Sequence, residues 1–451
     1  MPRPPLYLLL PLALLVHGCA TTGTSPDYSS QAEQLRNEIT AWPAQADAAE
    51  VGHLTQLIDS DQLHQLVSQA LDNNPGLQQT WLVLRQRQAE QRRIAGGRLP
   101  SASAGFQASR SEDTDSSYTG SVSVSWELDL WHRLGDEVAA AGSDSAQQQA
   151  LYQSARDTLS AEVMQGWLGL IAQQRALEIE QRRLATLEQN EALVLQRYRA
   201  GLGSLNDLDS ARSASASSRA TLAADTQTLA QQQRALQVLV GSSQPLALQM
   251  PADYPGVITP LAEQPTQTLE RRPDLRAAWL AIEAESLRTR AAYKDMLPSI
   301  SLQAALQDIA ENPAQALLTD PLWSLLGELS APLYQGGALR AAADIAELTA
   351  AERWQAYRET LLGAVNEVSD ALGQEQALDQ QQAHITEALA RQRNSLTQYQ
   401  RRYRTGGATL LELLEVQQQT YDLEAQLDTL IYNRLTNRIT LGLALGLGAP
   451  E

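Results

Sequence analysis

The segment Asn74-Pro75-Gly76-Leu77-Gln78-Gln79-Thr80-Trp81 returns as Arg272-Pro273-Asp274-Leu275-Arg276-Ala277-Ala278-Trp279, 198 positions later. Leu99-Pro100-Ser101 returns at the same offset as Leu297-Pro298-Ser299. The offset grows to 203 for Asp129-Leu130-Trp131 against Pro332-Leu333-Tyr334, and to 205 for Arg197-Tyr198-Arg199-Ala200-Gly201 against Arg402-Tyr403-Arg404-Thr405-Gly406. Four landmarks in one order, with so little drift, mark a tandem duplication, and such a repeat constrains the architecture before any local reading. The first repeat is placed at 62–258 and the second at 259–451, behind a signal peptide at 1–18 and an N-terminal segment at 19–61.

The 451 residues are 43% hydrophobic, enough for a core. Ala, Gln, Leu and Arg abound while Phe106 is the single phenylalanine, a balance that favours long helices. A net charge of −18 argues against nucleic acid as a partner, because phosphate binding needs a basic face. It suits solubility, or a lumen that repels anions.

Arg3 precedes an apolar run from Leu6 to Val16, followed by His17-Gly18-Cys19. That run has the length of a signal-peptide core and is too short for a bilayer of roughly 30 Å. A small residue before Cys resembles a bacterial lipobox, which makes Cys19 the lipid-attachment residue and the mature N-terminus. Cys19 is the only cysteine, so no internal disulfide or thiolate cluster is open to the chain. Ala20, rather than Asp, follows it and points to the outer membrane. Residues 19–61, rich in Ser, Thr, Asp and Ala, read as a lipid-anchored, extended tether.

Each repeat has the order helix, hairpin, very long helix, tight turn, long helix. Asn74 is placed as an N-cap with Pro75 at the first helical position, in a helix running to about Gly96. Pro100 breaks it. Tyr118 to Leu130 alternates, with Val122, Val124, Trp126 and Leu128 on one face and Ser121, Ser123, Ser125 and Glu127 on the other. Such a pattern predicts a strand between two different solvents. The second repeat offers Ser299 to Asp308 and about Leu322 to Tyr334. From Gly135 to Arg199 there is no Pro, and Val163, Leu170, Leu177 and Leu184 fall seven apart, as do Val416, Leu423 and Leu430. These heptads predict coiled-coil packing. Sixty-five helical residues span about 100 Å, a rod too long and too polar to cross a membrane.

The predicted fold class is mainly α with a membrane β-barrel. Four strands cannot leave unpaired edges in a bilayer, so the barrel must be shared among subunits. A homotrimer would supply a 12-stranded β-barrel above an α-helical periplasmic tunnel. The weak strand signal per segment is normal for such barrels.

The chain resembles the TolC-like outer-membrane factor family, in the lipoprotein branch serving resistance-nodulation-division (RND) efflux pumps. The resemblance runs from about Asp61 to the C-terminus. It is carried by Arg271-Arg272-Pro273-Asp274-Leu275, Leu297-Pro298-Ser299-Ile300, Ala331-Pro332-Leu333-Tyr334-Gln335-Gly336-Gly337, Trp126-Glu127-Leu128-Asp129-Leu130-Trp131 and the paired Arg-Tyr-Arg-x-Gly turns. It implies a trimeric outer-membrane duct that passively conducts small molecules, drugs or toxic compounds among them. The implied partners are a periplasmic adaptor protein, an inner-membrane RND pump and outer-membrane lipid.

The resemblance also assigns sites. The turns Gly201-Leu202-Gly203-Ser204 and Gly406-Gly407-Ala408-Thr409 become the tips that meet the adaptor, although glycine there is first of all a helix-ending device. Leu411 and Glu415 match the apolar and acidic rings that narrow the tunnel. Glu412 and its first-repeat equivalent Asp207 are further gate candidates. Threefold repetition of a carboxylate favours cations; the plainer alternative is an ordinary solvated helix charge.

His17, His53, His64, His132 and His384 show no metal-ligand spacing. No phosphate loop or nucleophile elbow emerges, so no catalytic residue, cofactor or metal is expected, and an enzyme is not the reading. Two rivals remain. A pore-less coiled-coil envelope scaffold would need no amphipathic strands. An exit duct for protein secretion is disfavoured by the lipobox; the lack of Met or His clusters lends no support to a dedicated metal-ion route, although metal could simply pass through.

Overall fold

The computed structural model describes residues 28–39, 42, 48–112, 114–262 and 265–450. The segment 1–18 read as a signal peptide, and Cys19, lie outside the described residues. The elements are α1 (Tyr28–Asn37), β1 (Ala48–Ala49), α2 (Asp61–Asn73), α3 (Pro75–Gly96), β2 (Ser101–Ser111), β3 (Thr114–Leu128), α4 (Arg133–Arg199) and α5 (Leu205–Val240). Then follow β4 (Thr259–Pro260), α6 (Pro265–Arg271), α7 (Pro273–Lys294), β5 (Ser299–Ala310), β6 (Leu322–Ser330), α8 (Ala338–Arg404) and α9 (Leu410–Ala444). The helix–hairpin–long helix–long helix order occurs twice, and α4 and α8 have the same length, 67 residues. None of the described helices is long and apolar enough to cross a membrane.

The chain divides into two compact units. One holds the described parts of 1–35, 85–148 and 278–358, and its centre is a four-stranded antiparallel sheet in the order β2-β3-β5-β6. Strands β3 and β5 join the two repeats, with Val122 opposite Leu306 and Trp126 opposite Leu302. Register places Ala104 and Ala102 beside Val122 and Val124, and Leu325 and Trp323 beside Ala304 and Leu306. One face is therefore apolar across all four strands. The other carries Ser121, Ser123, Ser125 and Glu127 with Ser101, Ser103, Gln303 and Gln307, interrupted by Leu322 and Leu326. Serine pairs bridge neighbouring strands on this face, Ser101 to Ser125 at 2.8 Å and Ser103 to Ser123 at 2.9 Å. Strands β2 and β6 are the edges, each bonded on one side only among the described residues.

Both predicted outer boundaries shift inward. β3 ends at Leu128 because Asp129 turns the chain and caps α4, accepting from the backbone N–H of Leu134 (3.0 Å) and Gly135 (2.7 Å). β6 ends at Ser330, just before Ala331-Pro332, where proline offers no N–H to a ladder. The Trp131 indole donates to the Pro298 carbonyl at 2.6 Å, and that of Trp126 to the Arg98 carbonyl at 2.9 Å.

The other unit holds 36–84, 149–277 and 359–450. Its core gathers Leu63, Val67, Leu77, Val163, Trp167, Leu170, Leu236, Val240 and Ile439, so α2 to α5 and α9 meet there. The N-terminal segment corrects the sequence reading: it is not uniformly extended. α1 is helical, β1 pairs in parallel with β4, and Leu54, Leu57 and Ile58 are fully buried. An apolar triad in a Ser- and Ala-rich stretch is too short to give a period, and burial supplies the order that propensity does not.

The duplication is visible in one repeated joint. Asn74 Oδ1 accepts from Leu77 N–H at 2.9 Å, capping α3, while its Nδ2 donates to the Leu239 carbonyl at 2.8 Å. At the equivalent position Arg272 donates to the Ala444 carbonyl at 3.0 Å and to Asp274 and Glu367. Gly241 and Gly446, just beyond the two carbonyls, both have left-handed backbones (φ 71° and 75°). A Cβ on Gly241 would stand 2.3 Å from the Asn73 carbonyl oxygen, so glycine is required there by space as well as by φ.

Candidate functional site: the two helix turns and the carboxylates behind them

All the tip and gate candidates lie in the second unit. α4 ends in a left-handed Gly201 (φ 71°), with Leu202 N–H donating to Arg197 O at 2.8 Å and Gly201 N–H to Tyr198 O at 3.0 Å. This pairing of a six-residue and a four-residue closure is the Schellman end. α8 ends the same way: Gly406 has φ 78°, and Gly407 N–H donates to Arg402 O at 2.8 Å. Here the Arg402 guanidinium also donates to the Gly407 carbonyl, at 2.9 and 3.2 Å. A side chain at Gly201 or Gly406 would meet open space, so backbone conformation alone selects glycine there.

The next helices begin with reciprocal caps. Ser204 Oγ accepts from Asp207 N–H, and the Asp207 carboxylate accepts from Ser204 N–H at 3.2 Å. Thr409 Oγ1 accepts from Glu412 N–H, and Glu412 accepts from Thr409 N–H at 2.7 Å. These hydrogen bonds favour the ionised form, so both carboxyls titrate below their ordinary range. For Asp207 the Ser204 side chain is the larger cause; for Glu412 it is the Thr409 backbone N–H. The signature S/T-x-x-D/E stands in the sequence at both turns and marks a helix start.

The structure thus divides the four gate candidates. Asp207 and Glu412 are engaged in capping. Leu411 and Glu415, one helical turn apart, are both exposed and share a face of α9. Leu413, on another face, is buried. Leu202 and Leu411 are each 71% exposed. Gly201, Ser204, Gly406, Gly407 and Thr409 are exposed as well, while Gly203 and Ala408 are half-buried. Behind the turns, Val194, Leu208 and Ala211 form a small core against Leu195 and Leu410.

A polar ladder joins α4 to α9, and no single-residue motif announced it. Arg183 pairs with Asp422 at 2.7 Å and Arg182 with Glu424 at 3.0 Å. Asn190 donates to Gln417 at 2.9 Å, and Thr186 and Tyr421 share a 2.8 Å hydrogen bond. Glu424 is also reached by Arg393 of α8 at 2.8 Å. The α4–α9 partners lie more than 200 positions apart, beyond any periodicity.

The outer membrane efflux protein family matches the chain over residues 66–242 and 265–447. The pyoverdine export outer membrane protein OpmQ of Pseudomonas putida is 29% identical over 98% of this chain and 97% of its own length. The cation efflux system protein CusC of Escherichia coli K12 is 26% identical over 98% and 99%, respectively. The solved outer membrane protein VceC of Vibrio cholerae superimposes with a TM-score of 0.79 at 23% identity, over 89% of this chain and all of that one, a likeness of fold. The family match takes in both repeats, their hairpins and their long helices, and the chain belongs to the outer membrane efflux protein family.

Proposed function

We propose that three copies of this chain form the exit duct of a tripartite efflux system, a 12-stranded barrel in the outer membrane continued by a helical tunnel in the periplasm. One observation carries the reading: a four-stranded sheet with one apolar face, one polar face and two unpaired edges. In hydrocarbon those edges would each cost several kcal/mol per unsatisfied group. Pairing β6 of one copy with β2 of the next removes all of them and turns the serine-rich face toward a wet lumen. Cys19 would add an acyl anchor, which supplies affinity but not a pore.

The tips Gly201–Ser204 and Gly406–Thr409 are the surfaces offered to a periplasmic adaptor, itself coupled to an inner-membrane pump of the RND class. Leu411 and Glu415 form the constriction, with Glu412 and Asp207 adding charge behind their caps. Transport is passive conduction of small molecules. OpmQ is named for pyoverdine export and CusC for cation efflux, at similar identity, so cargo is chosen upstream of the duct.

Single-particle imaging of the detergent-extracted protein tests the reading. A hollow threefold particle with a detergent belt at one end is expected. A solid bundle, or a monomer without a belt, would sink the pore and favour the scaffold.

A further inference from the structure

The β5–β6 connection, residues 311–321, lies at the sheet end from which no helix departs. It does not stand clear of the strands. A Cβ on Gly120 would come within 1.9 Å of the Ala316 carbonyl oxygen, so the loop backbone crosses β3 in a contact that only glycine allows. Ala316 is fully buried. Directly opposite Gly120 in the register is Asp308, only 8% exposed. Its Oδ2 accepts from Thr319 N–H at 2.9 Å and Asp320 N–H at 3.2 Å, fastening the loop's return.

The face follows from period two. Gly120 and Asp308 belong with Val122, Val124, Trp126 and Leu306, so the loop is folded over the apolar face. Ser121, Ser123 and Gln307 point the other way and stay uncovered by it. The loop connects β5 and β6 yet lies above β3, an interior strand. A copy paired at β6 therefore meets the loop's return to that edge and not its crossing at Ala316. What continues beside Val122 and Leu306 is whatever covers the apolar face, and Leu317, 66% exposed, extends that face at its outer end.

We propose that this loop is a lipid-surface element: it lies against the outer leaflet, with Leu317 among acyl chains, and leaves the pore mouth open. The inference rests on the barrel reading above. The test is spin labelling of Leu317→Cys in the full-length trimer, reconstituted in phospholipid vesicles, with the unsubstituted protein as thiol background. Leu325→Cys on the apolar face and Ser123→Cys on the polar face are labelled in parallel. Collisions with oxygen report lipid, and collisions with a water-soluble nickel chelate report water.

Oxygen should dominate at positions 317 and 325, and nickel at position 123. Nickel dominance at 317 with oxygen at 325 overturns the loop assignment and spares the barrel. Nickel dominance at 325 overturns the barrel and the loop assignment together. Adding Gly120→Val should raise the nickel accessibility of the 317 label at least threefold while the 325 label stays in lipid. An unmoved 317 label would show that the crossing at Gly120 does not hold the loop, and would count against the proposal.

Discussion

Asn74 and Arg272 sit at the same position of the two repeats and tie a helix start to a helix end with different chemistry. Asn74→Ala removes a cap and strands the Leu239 carbonyl, a loss of about 2 kcal/mol. Arg272→Ala strands the Ala444 carbonyl and takes the partner from half-buried Asp274 and exposed Glu367, and should cost about 2 kcal/mol. Thermal melts in detergent, followed by circular dichroism, check both; unchanged midpoints would remove the joint from the account. A second exchange of chemistry lies deeper. Glu375 Oε1 accepts from Arg434 at 2.9 Å and from Arg438 at 2.8 Å. Moved back by the repeat offset of 205, Glu375 and Arg434 become Leu170 and Leu229, which pack in the apolar core. Glu375→Leu alone takes away the carboxylate that Arg438 pairs with, while Arg434 keeps Asp379 at 2.7 Å, and should cost about 3 kcal/mol. The double change Glu375→Leu with Arg438→Leu should recover part of that loss, since it also removes the arginine that the single change leaves unpaired. Melts of the single and double variants that show simple additivity would contradict this.

At the scale of elements, the long helices owe their ends to the left-handed glycines and the reciprocal caps. Thr409→Ala or Ser204→Ala should destabilise the local helix start by about 1 kcal/mol. The caps also set a pH dependence. Asp207 and Glu412 titrate below their ordinary values when folded, so the stabilisation is complete above the ordinary carboxylate range near 4. It is lost as pH falls through the lowered values. Amide exchange at residues 205–208 and 410–413, corrected for intrinsic rates, should therefore speed up on acidification to about pH 3. The same amides in Asp207→Asn and Glu412→Gln variants, which lack the titrating carboxyls, should respond much less. An equal response in all proteins would show that the caps do not govern the turns. The turns were legible as glycine-bearing breaks. The caps are equally legible in the S/T-x-x-D/E spacing, but spacing alone does not say whether the carboxylate serves the helix start or a lumen.

For the whole molecule, the gate prediction now separates two carboxylates that the motif alone treats together. Glu415→Gln in the reconstituted channel should lower cation preference, read as a shift in reversal potential under a salt gradient. Glu412→Gln keeps its cap, because glutamine serves in the same box, so it tests charge without loosening the turn. It should retain most of the preference. A larger effect at 412 than at 415 would place the acidic ring on the capping residue instead. Leu411→Ser, at the exposed position beside Glu415, should raise the conductance of the resting channel; an unaltered conductance would take Leu411 out of the constriction.

The sequence by itself determined the duplication, the element order and the amphipathic strands, because each is written in spacing: an offset near 200, a heptad, a period of two. Tertiary structure decided what spacing cannot carry. It chose which strand pairs with which, and so joined the repeats through β3 and β5. It gave residues 54–58 their place by burying Leu54, Leu57 and Ile58. It laid the 311–321 loop on the apolar face and bound α4 to α9 through partners some 240 residues apart. These arrangements depend on contacts between distant residues, whose closure cost is met only when the whole fold forms, and no local pattern records them.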